Sequence, residues 1–287
     1  MSRYFKQTQQ SQQPANLDPI NGGALDNLLG AIKESHEASS AVADNRLEGC
    51  RKVTFNPQRL ELISQIDKFN WQAAEAYRAL RTRLMRTQAA SGLRSVVITS
   101  AVQGDGKTLT AANLALCFAQ LTGFKVLLVD ADLRSRGLTR LLGHPSGPGL
   151  TDLLAGNARY EQAICSTNVP NLYVLGAGAA CASPPELLAG ARFKEFIGWA
   201  GEGFKLVLID SPPLLTIADC ELITSACDGV LMVVRAARTH RDLLESAATQ
   251  LDQKKLLGLV YNGAEYMRKQ TMYRDYAVTA RKQVAAK

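Results

Sequence analysis

The segment TSAVQGDGKT, residues 99–108, sets two glycines, a lysine and a hydroxyl side chain within the five positions from Gly104 to Thr108. That grouping is chemistry for phosphate. Gly104 and Gly106 free the backbone to turn its N–H groups inward around an anion, Lys107 can reach the β and γ oxygens of a nucleotide, and Thr108 offers a hydroxyl to Mg²⁺. Gln103, Asp105 and Leu109 fill out the loop and the first helical turn as further nucleotide-contacting positions. Against the template G-x-x-x-x-G-K-[ST] the first glycine is replaced by Ala101.

Two more segments end apolar runs in acids. VLLVDADLR (126–134) carries Asp130 and Asp132 followed by Arg134, and LVLIDSPP (206–213) carries Asp210. A single carboxylate at such a place is equally a solvated strand end or a helix cap. Three of them beside a phosphate loop suit Mg²⁺, which takes a few oxygen ligands and completes its shell with water and substrate phosphate. Arg134 either clamps phosphate or pairs with a neighbouring acid.

These residues need elements to hold them. SVVIT (95–99), KVLLVD (125–130), NLYVL (171–175), FKLVLID (204–210), GVLMVV (229–234) and LLGLVY (256–261) read as strands buried on both faces. Helical patterns at 107–121, 185–200, 217–226 and 239–254 separate most of them, which predicts a doubly wound α/β domain with a mostly parallel sheet. Ligands of such sheets bind outside the carboxyl ends of the strands, where all three motifs fall. A helix is expected within 58–88, with Ala73, Tyr77, Leu80 and Leu84 on one face.

The organisation read from the chain is a flexible segment over 1–50, a nucleotide-binding domain over 51–262 and a basic tail over 263–287. The net charge of +7 calls for an anionic partner. No aromatic-interleaved basic stripe or recognition helix points to nucleic acid. The six cysteines show no C-x-x-C pair, which argues against zinc or iron–sulfur chemistry and for a reducing compartment. No apolar run reaches the roughly 18 residues that span a bilayer, so a cytoplasmic location is expected.

With the three motifs in hand, the chain resembles the bacterial tyrosine kinases of capsule and exopolysaccharide synthesis, which use a P-loop of deviant Walker type. EAYRALRTRL (75–84), GLTDLLAG (149–156), SPPELL (183–188) and DGVLMVVR (228–235) extend the likeness over about residues 70 to 262. The departures are Gln103 and Asp105, where the family usually has proline and glutamate, and Ser135–Arg136 in place of arginine–proline. The resemblance implies ATP and Mg²⁺ as cofactors, with Lys107 neutralising the transferring phosphate. It further implies that Thr108, Asp132 and Asp210 hold the metal directly or through water, and that Asp130 orients or deprotonates a tyrosine hydroxyl.

It also implies that Glu75, Arg78 and Arg81 join subunits into a ring-like homo-oligomer; spacing alone reads them as an i,i+3 ion pair on a solvated face. Expected partners are a separate membrane-anchored polysaccharide co-polymerase that recruits and activates a stand-alone cytoplasmic kinase, and a cognate phosphotyrosine phosphatase. The tail EYMRKQTMYRDYAV (265–278) holds Tyr266, Tyr273 and Tyr276, the expected autophosphorylation sites in trans. Their spacing also fits a final helix packed on the domain, and Tyr261 reads as structural. Septum-site and partition ATPases share the fold and its carboxylates and stay open as a non-kinase switch, although their extra lysine is Val102 here. A regulatory scaffold that binds ATP is a third alternative.

Overall fold

The computed structural model describes residues 49–54, 71–143 and 147–263. The predicted tail tyrosines and the segment 1–48 lie outside the described residues. The chain runs β1 (Arg51–Val53), α1 (Trp71–Ser91), β2 (Ser95–Ser100), α2 (Lys107–Ala119), β3 (Val126–Asp130), α3 (Gly137–Leu141), α4 (Leu150–Ala155) and α5 (Tyr160–Ala163). It continues through β4 (Ile164–Thr167), β5 (Leu172–Leu175), α6 (Pro184–Ala189), α7 (Ala191–Gly203), β6 (Leu206–Asp210), α8 (Asp219–Ala226), β7 (Gly229–Arg235), α9 (Arg241–Thr249) and β8 (Leu256–Asn262).

These strands form one sheet in the order β1-β4-β5-β3-β6-β2-β7-β8. Every neighbouring pair is parallel except β4 with β5. Alternation along each strand sends residues to opposite faces, so β3 gives Val126 and Leu128 to one core and Leu127 and Val129 to the other. The first core is closed by Leu84 of α1, Leu114 and Phe118 of α2 and Leu138 of α3; the second by Leu150, Phe193, Phe196 and Ile223 from the later helices. Burying each such side chain contributes about 1.5–3 kcal/mol. Both faces are covered, which gives the doubly wound architecture the sequence predicts.

Several elements differ from the expectation. β1 and β4 escape it because strands of three and four residues are too short to display a period. The single helix expected over 185–200 is two, broken at Gly190, whose backbone is extended. β8 is not buried on both faces: it closes the edge of the sheet, Leu259 is 43% exposed and Tyr261 64%, so Tyr261 is no core residue. Of the predicted 58–88 helix, residues 71–91 are helical and 55–70 lie outside the described residues. The Tyr77, Leu80 and Leu84 face packs against the core as expected, while Ala73 and Tyr77 also pack on the small cluster of Ala74 with Cys117 of α2.

The glycine that opens GLTDLLAG has a packing reason. The chain at Gly149 runs against the segment after β5, with Leu150 N–H donating to the Gly176 carbonyl at 2.8 Å and Thr151 N–H to that of Ala177 at 2.9 Å. A Cβ at Gly149 would fall on the backbone of Gly176 and Gly178. Gly149→Ala is therefore expected to destabilise the domain by about 1–3 kcal/mol through overpacking, read as a lower urea midpoint at unchanged m-value.

Candidate active site

The strand order decides which motifs meet. β3, β6 and β2 are consecutive, so the ends of three central strands deliver the phosphate loop, the Asp130–Asp132 segment and Asp210 to one edge. Asp130 and Asp210 are register partners across β3 and β6, and Asp210 is paired with Ile98 of β2. Beyond the strands the main chain stays joined: Ala131 N–H donates to the Asp210 carbonyl at 2.8 Å, and Ser211 N–H to that of Ile98 at 3.2 Å. The acids are thus placed by backbone that has little freedom to move.

The phosphate loop bends at Gly104 and Gly106, with φ of 92° and 94°, a left-handed conformation that a side chain would strain. Gly106 is the N-cap of α2 and supplies no side-chain cap, so the first-turn N–H groups of Lys107, Thr108 and Leu109 remain open to an anion. Gln103 and Gly104 are exposed on the rim, whereas Asp105 is buried. Leu109 turns its side chain into the core, which leaves only its backbone for a ligand.

Lys107 is 8% exposed and its Nζ lies 3.3 Å from Oδ2 of Asp132. The other oxygen of Asp132 accepts the Ser135 N–H at 2.9 Å. Asp130 is fully buried; its Oδ2 accepts from the Thr139 N–H at 2.7 Å and the Thr139 hydroxyl at 2.6 Å, while Oδ1 has no partner. Burial pushes the Asp130 carboxyl up to about 6, the Thr139 donors opposing the rise. Asp210 is also fully buried, and neither oxygen has a well-formed hydrogen bond. Burial raises its carboxyl to about 8, against the pull of Lys107 and the nearby Thr108 hydroxyl.

A buried carboxylate with idle oxygens fits a hard cation, because binding one would supply the charge and ligation the protein withholds. Among the described residues no three acidic, histidine or cysteine side chains gather to hold a metal by themselves. A magnesium here would draw on Thr108, Asp132 and Asp210 and on water and phosphate, the ligand economy usual for that ion.

Arg134 does not face the loop's lysine but pairs with Asp219 at the start of α8, Nε to Oδ2 at 2.9 Å and Nη2 to Oδ1 at 3.3 Å. Of its two readings, the structure shows the ion pair. Along α1, Arg78 and Glu75 form the i,i+3 pair at 3.3 Å on the surface. Arg81 donates to the Cys117 carbonyl of α2 at 2.7 Å, so its guanidinium also serves the fold.

Sequence reasoning missed Thr139, Asp219, Thr239 and Asn262. The Thr239 hydroxyl donates to Oδ1 of Asp105 at 2.6 Å, and the Asn262 side-chain amide donates to the Asp105 carbonyl at 2.8 Å. The signal for Asn262 was available, since it closes a strand at the same carboxyl edge as the acids; the other three carry none.

Comparison with known proteins agrees with this geometry. Residues 93–249 match the model of the AAA domain. The chain is 36% identical over 209 residues to tyrosine-protein kinase CpsD of Streptococcus agalactiae, covering 71% of this chain and 89% of that protein. It is 37% identical over 192 residues to tyrosine-protein kinase YwqD of Bacillus subtilis, covering 66% and 81%. Among solved structures, the kinase domain of Escherichia coli tyrosine kinase ETK superposes with a TM-score of 0.67 at 28% identity, over 72% of this chain and 81% of that one. The cell division ATPase MinD of Pyrococcus furiosus superposes at 0.50 and 30% identity, over 58% and 71%. The chain belongs to the bacterial tyrosine-protein kinase family of CpsD and YwqD.

The raised carboxyl of Asp210 has a thermodynamic consequence. It binds its proton in the folded protein and releases it on unfolding, so its contribution is most favourable where it is protonated and declines as pH rises towards about 8. In magnesium-free buffer the unfolding free energy is expected to fall from about pH 4 to about pH 8 and to level off above that. Asp210→Asn should flatten that slope and raise stability at pH 8 by about 1–3 kcal/mol, because a neutral amide replaces a buried, unpaired charge. Denaturant titration at several pH values reads both effects.

Proposed function

We propose that this protein is an ATP-dependent protein-tyrosine kinase that phosphorylates the tyrosines of its own C-terminal tail in trans and so regulates capsule or exopolysaccharide synthesis. The observation that carries the reading is the meeting of Lys107, Asp130, Asp132 and Asp210 at the ends of three adjacent strands. Phosphoryl transfer asks a protein for position and for positive charge near the spreading negative charge, and this arrangement provides for both.

Lys107 exchanges its partner Asp132 for the β and γ oxygens of ATP, and the open first turn of α2 receives the phosphates. Magnesium, which Thr108, Asp132 and Asp210 would hold, would supply further neutralisation of that charge. The acceptor phenol oxygen forms a bond to the γ phosphorus as the bond from that phosphorus to the β-bridging oxygen breaks, and ADP leaves. The phenol proton passes to Asp130. A carboxyl raised to about 6 is a stronger base than an ordinary aspartate yet still ionised near neutrality, and its unpartnered Oδ1 is the atom free to take the proton. Asp130 is shielded from solvent, so the residues covering it must shift to admit a phenol.

Tyr266, Tyr273 and Tyr276 are the acceptors in this scheme, and neighbouring copies in a ring present them. Glu75 and Arg78, on the exposed side of α1, are the ring contacts; Arg81 supports them from its bond to α2. A membrane-anchored co-polymerase acts as recruiter and activator, and a phosphotyrosine phosphatase resets the tail. No helix among the described residues is long and apolar enough to cross a membrane.

Lys107→Met is expected to lower tail phosphorylation by about 10²-fold or more while the fold persists. Replacing Tyr266, Tyr273 and Tyr276 together by Phe should abolish the signal without affecting ATP binding. Phosphotyrosine blotting with mass-spectrometric site mapping, in the presence of an activator, reads both; magnesium-dependent ATP binding with no phosphotyrosine in wild type would replace the kinase reading by a nucleotide switch.

A further inference from the structure

We propose that Thr239 and Asn262 are positioning residues that hold the phosphate loop in its binding shape through Asp105, an inference that rests on the nucleotide reading above. Asp105 stands between Gly104 and Gly106, both left-handed, in a loop with little stiffness of its own. The helix that follows has no side-chain cap to fix its entry. Restraint has to come from outside the loop.

It comes from two points, the turn after β7 and the end of β8. The Thr239 hydroxyl donates to the Asp105 carboxylate at 2.6 Å, while the Thr239 oxygen accepts the Arg235 N–H at 3.3 Å, which orients the hydroxyl proton towards Asp105. The Asn262 amide donates to the main-chain carbonyl of the same residue. Asn262 is itself fixed in register opposite Arg235, with its carbonyl accepting the Ala236 N–H at 2.9 Å. One side chain therefore grips the carboxylate and another the backbone.

Packing adds to the grip. A Cβ on Gly106 would meet the Asn262 amide and push it off Asp105, so the loop's second glycine suits this contact and is demanded by its φ. Asp105 is 2% exposed, and its Oδ2 has no partner. A buried carboxylate beside a phosphate site repels the ligand unless it is turned aside, and the Thr239 bond is what turns it.

The test is magnesium–ATP binding and tail phosphorylation by the full chain, comparing wild type with Thr239→Val, Thr239→Ser and Asn262→Leu, alongside thermal unfolding of each. Thr239→Val and Asn262→Leu keep side-chain shape and remove the donor. Each should weaken ATP binding by about tenfold, and KM for ATP should rise with kcat changed much less. Thr239→Ser, which keeps the hydroxyl, should stay within about twofold of wild type. The double variant should lose less than the product of the single losses, because both contacts restrain one residue. Unchanged ATP affinity in Thr239→Val and Asn262→Leu, or a loss in Thr239→Ser equal to that in Thr239→Val, overturns the proposal. Failure of wild type to bind magnesium–ATP overturns the nucleotide reading itself.

Discussion

Three carboxylates and one ammonium share a nearly dry edge of the sheet, and the rest of the molecule is arranged around that imbalance. Asp130 and Asp210 are fully buried, Asp132 and Lys107 nearly so. A single lysine cannot offset three ionised acids in a medium that solvates charge poorly, and two of the carboxyls respond by moving upward in proton affinity. Asp130 and Asp210 end β3 and β6, adjacent central strands whose hydrophobic packing on both faces fixes the backbone. A site that tolerates idle carboxylate oxygens is primed to prefer a cation that brings its own water and phosphate.

Around that centre, neutral donors set direction. Thr139 uses its N–H and hydroxyl on one oxygen of Asp130 and leaves the other unclaimed, while its hydroxyl oxygen accepts the Ala177 N–H at 2.9 Å from the segment after β5. Asp132 is divided between Lys107 and the Ser135 N–H. Arg134 joins the loop after β3 to the start of α8 through the buried Asp219. The loops that follow β3, β5 and β6 are thereby tied to one another, so a ligand that displaces one of them works against all three.

Much of this is legible in the sequence itself. The central strands are continuous apolar runs bounded by glycine and acid, and the phosphate loop combines residue types that few other structures require together. Opacity begins where the signal is short or distant. ICST in β4 mixes polar with apolar residues over a single turn of the pleat, and RKV in β1 has no pattern at all. Gly190 divides a continuous helical pattern by leaving the helix with an extended backbone. The pairs Arg134–Asp219, Asp105–Thr239 and Asp105–Asn262 join residues 85, 134 and 157 positions apart. Nothing in their local composition names the partner, because that choice is made by strand order.

The end of the sheet has one more consequence. Asn262 is the last residue of β8, and the chain passes from it through Gly263 towards the tail that carries the tyrosines. A pull on the chain beyond Gly263 is borne first by that strand end and by its hydrogen bond to Asp105. The edge of the sheet and the phosphate loop are thus joined by one hydrogen bond at the residue where the last strand ends, immediately before the tail begins.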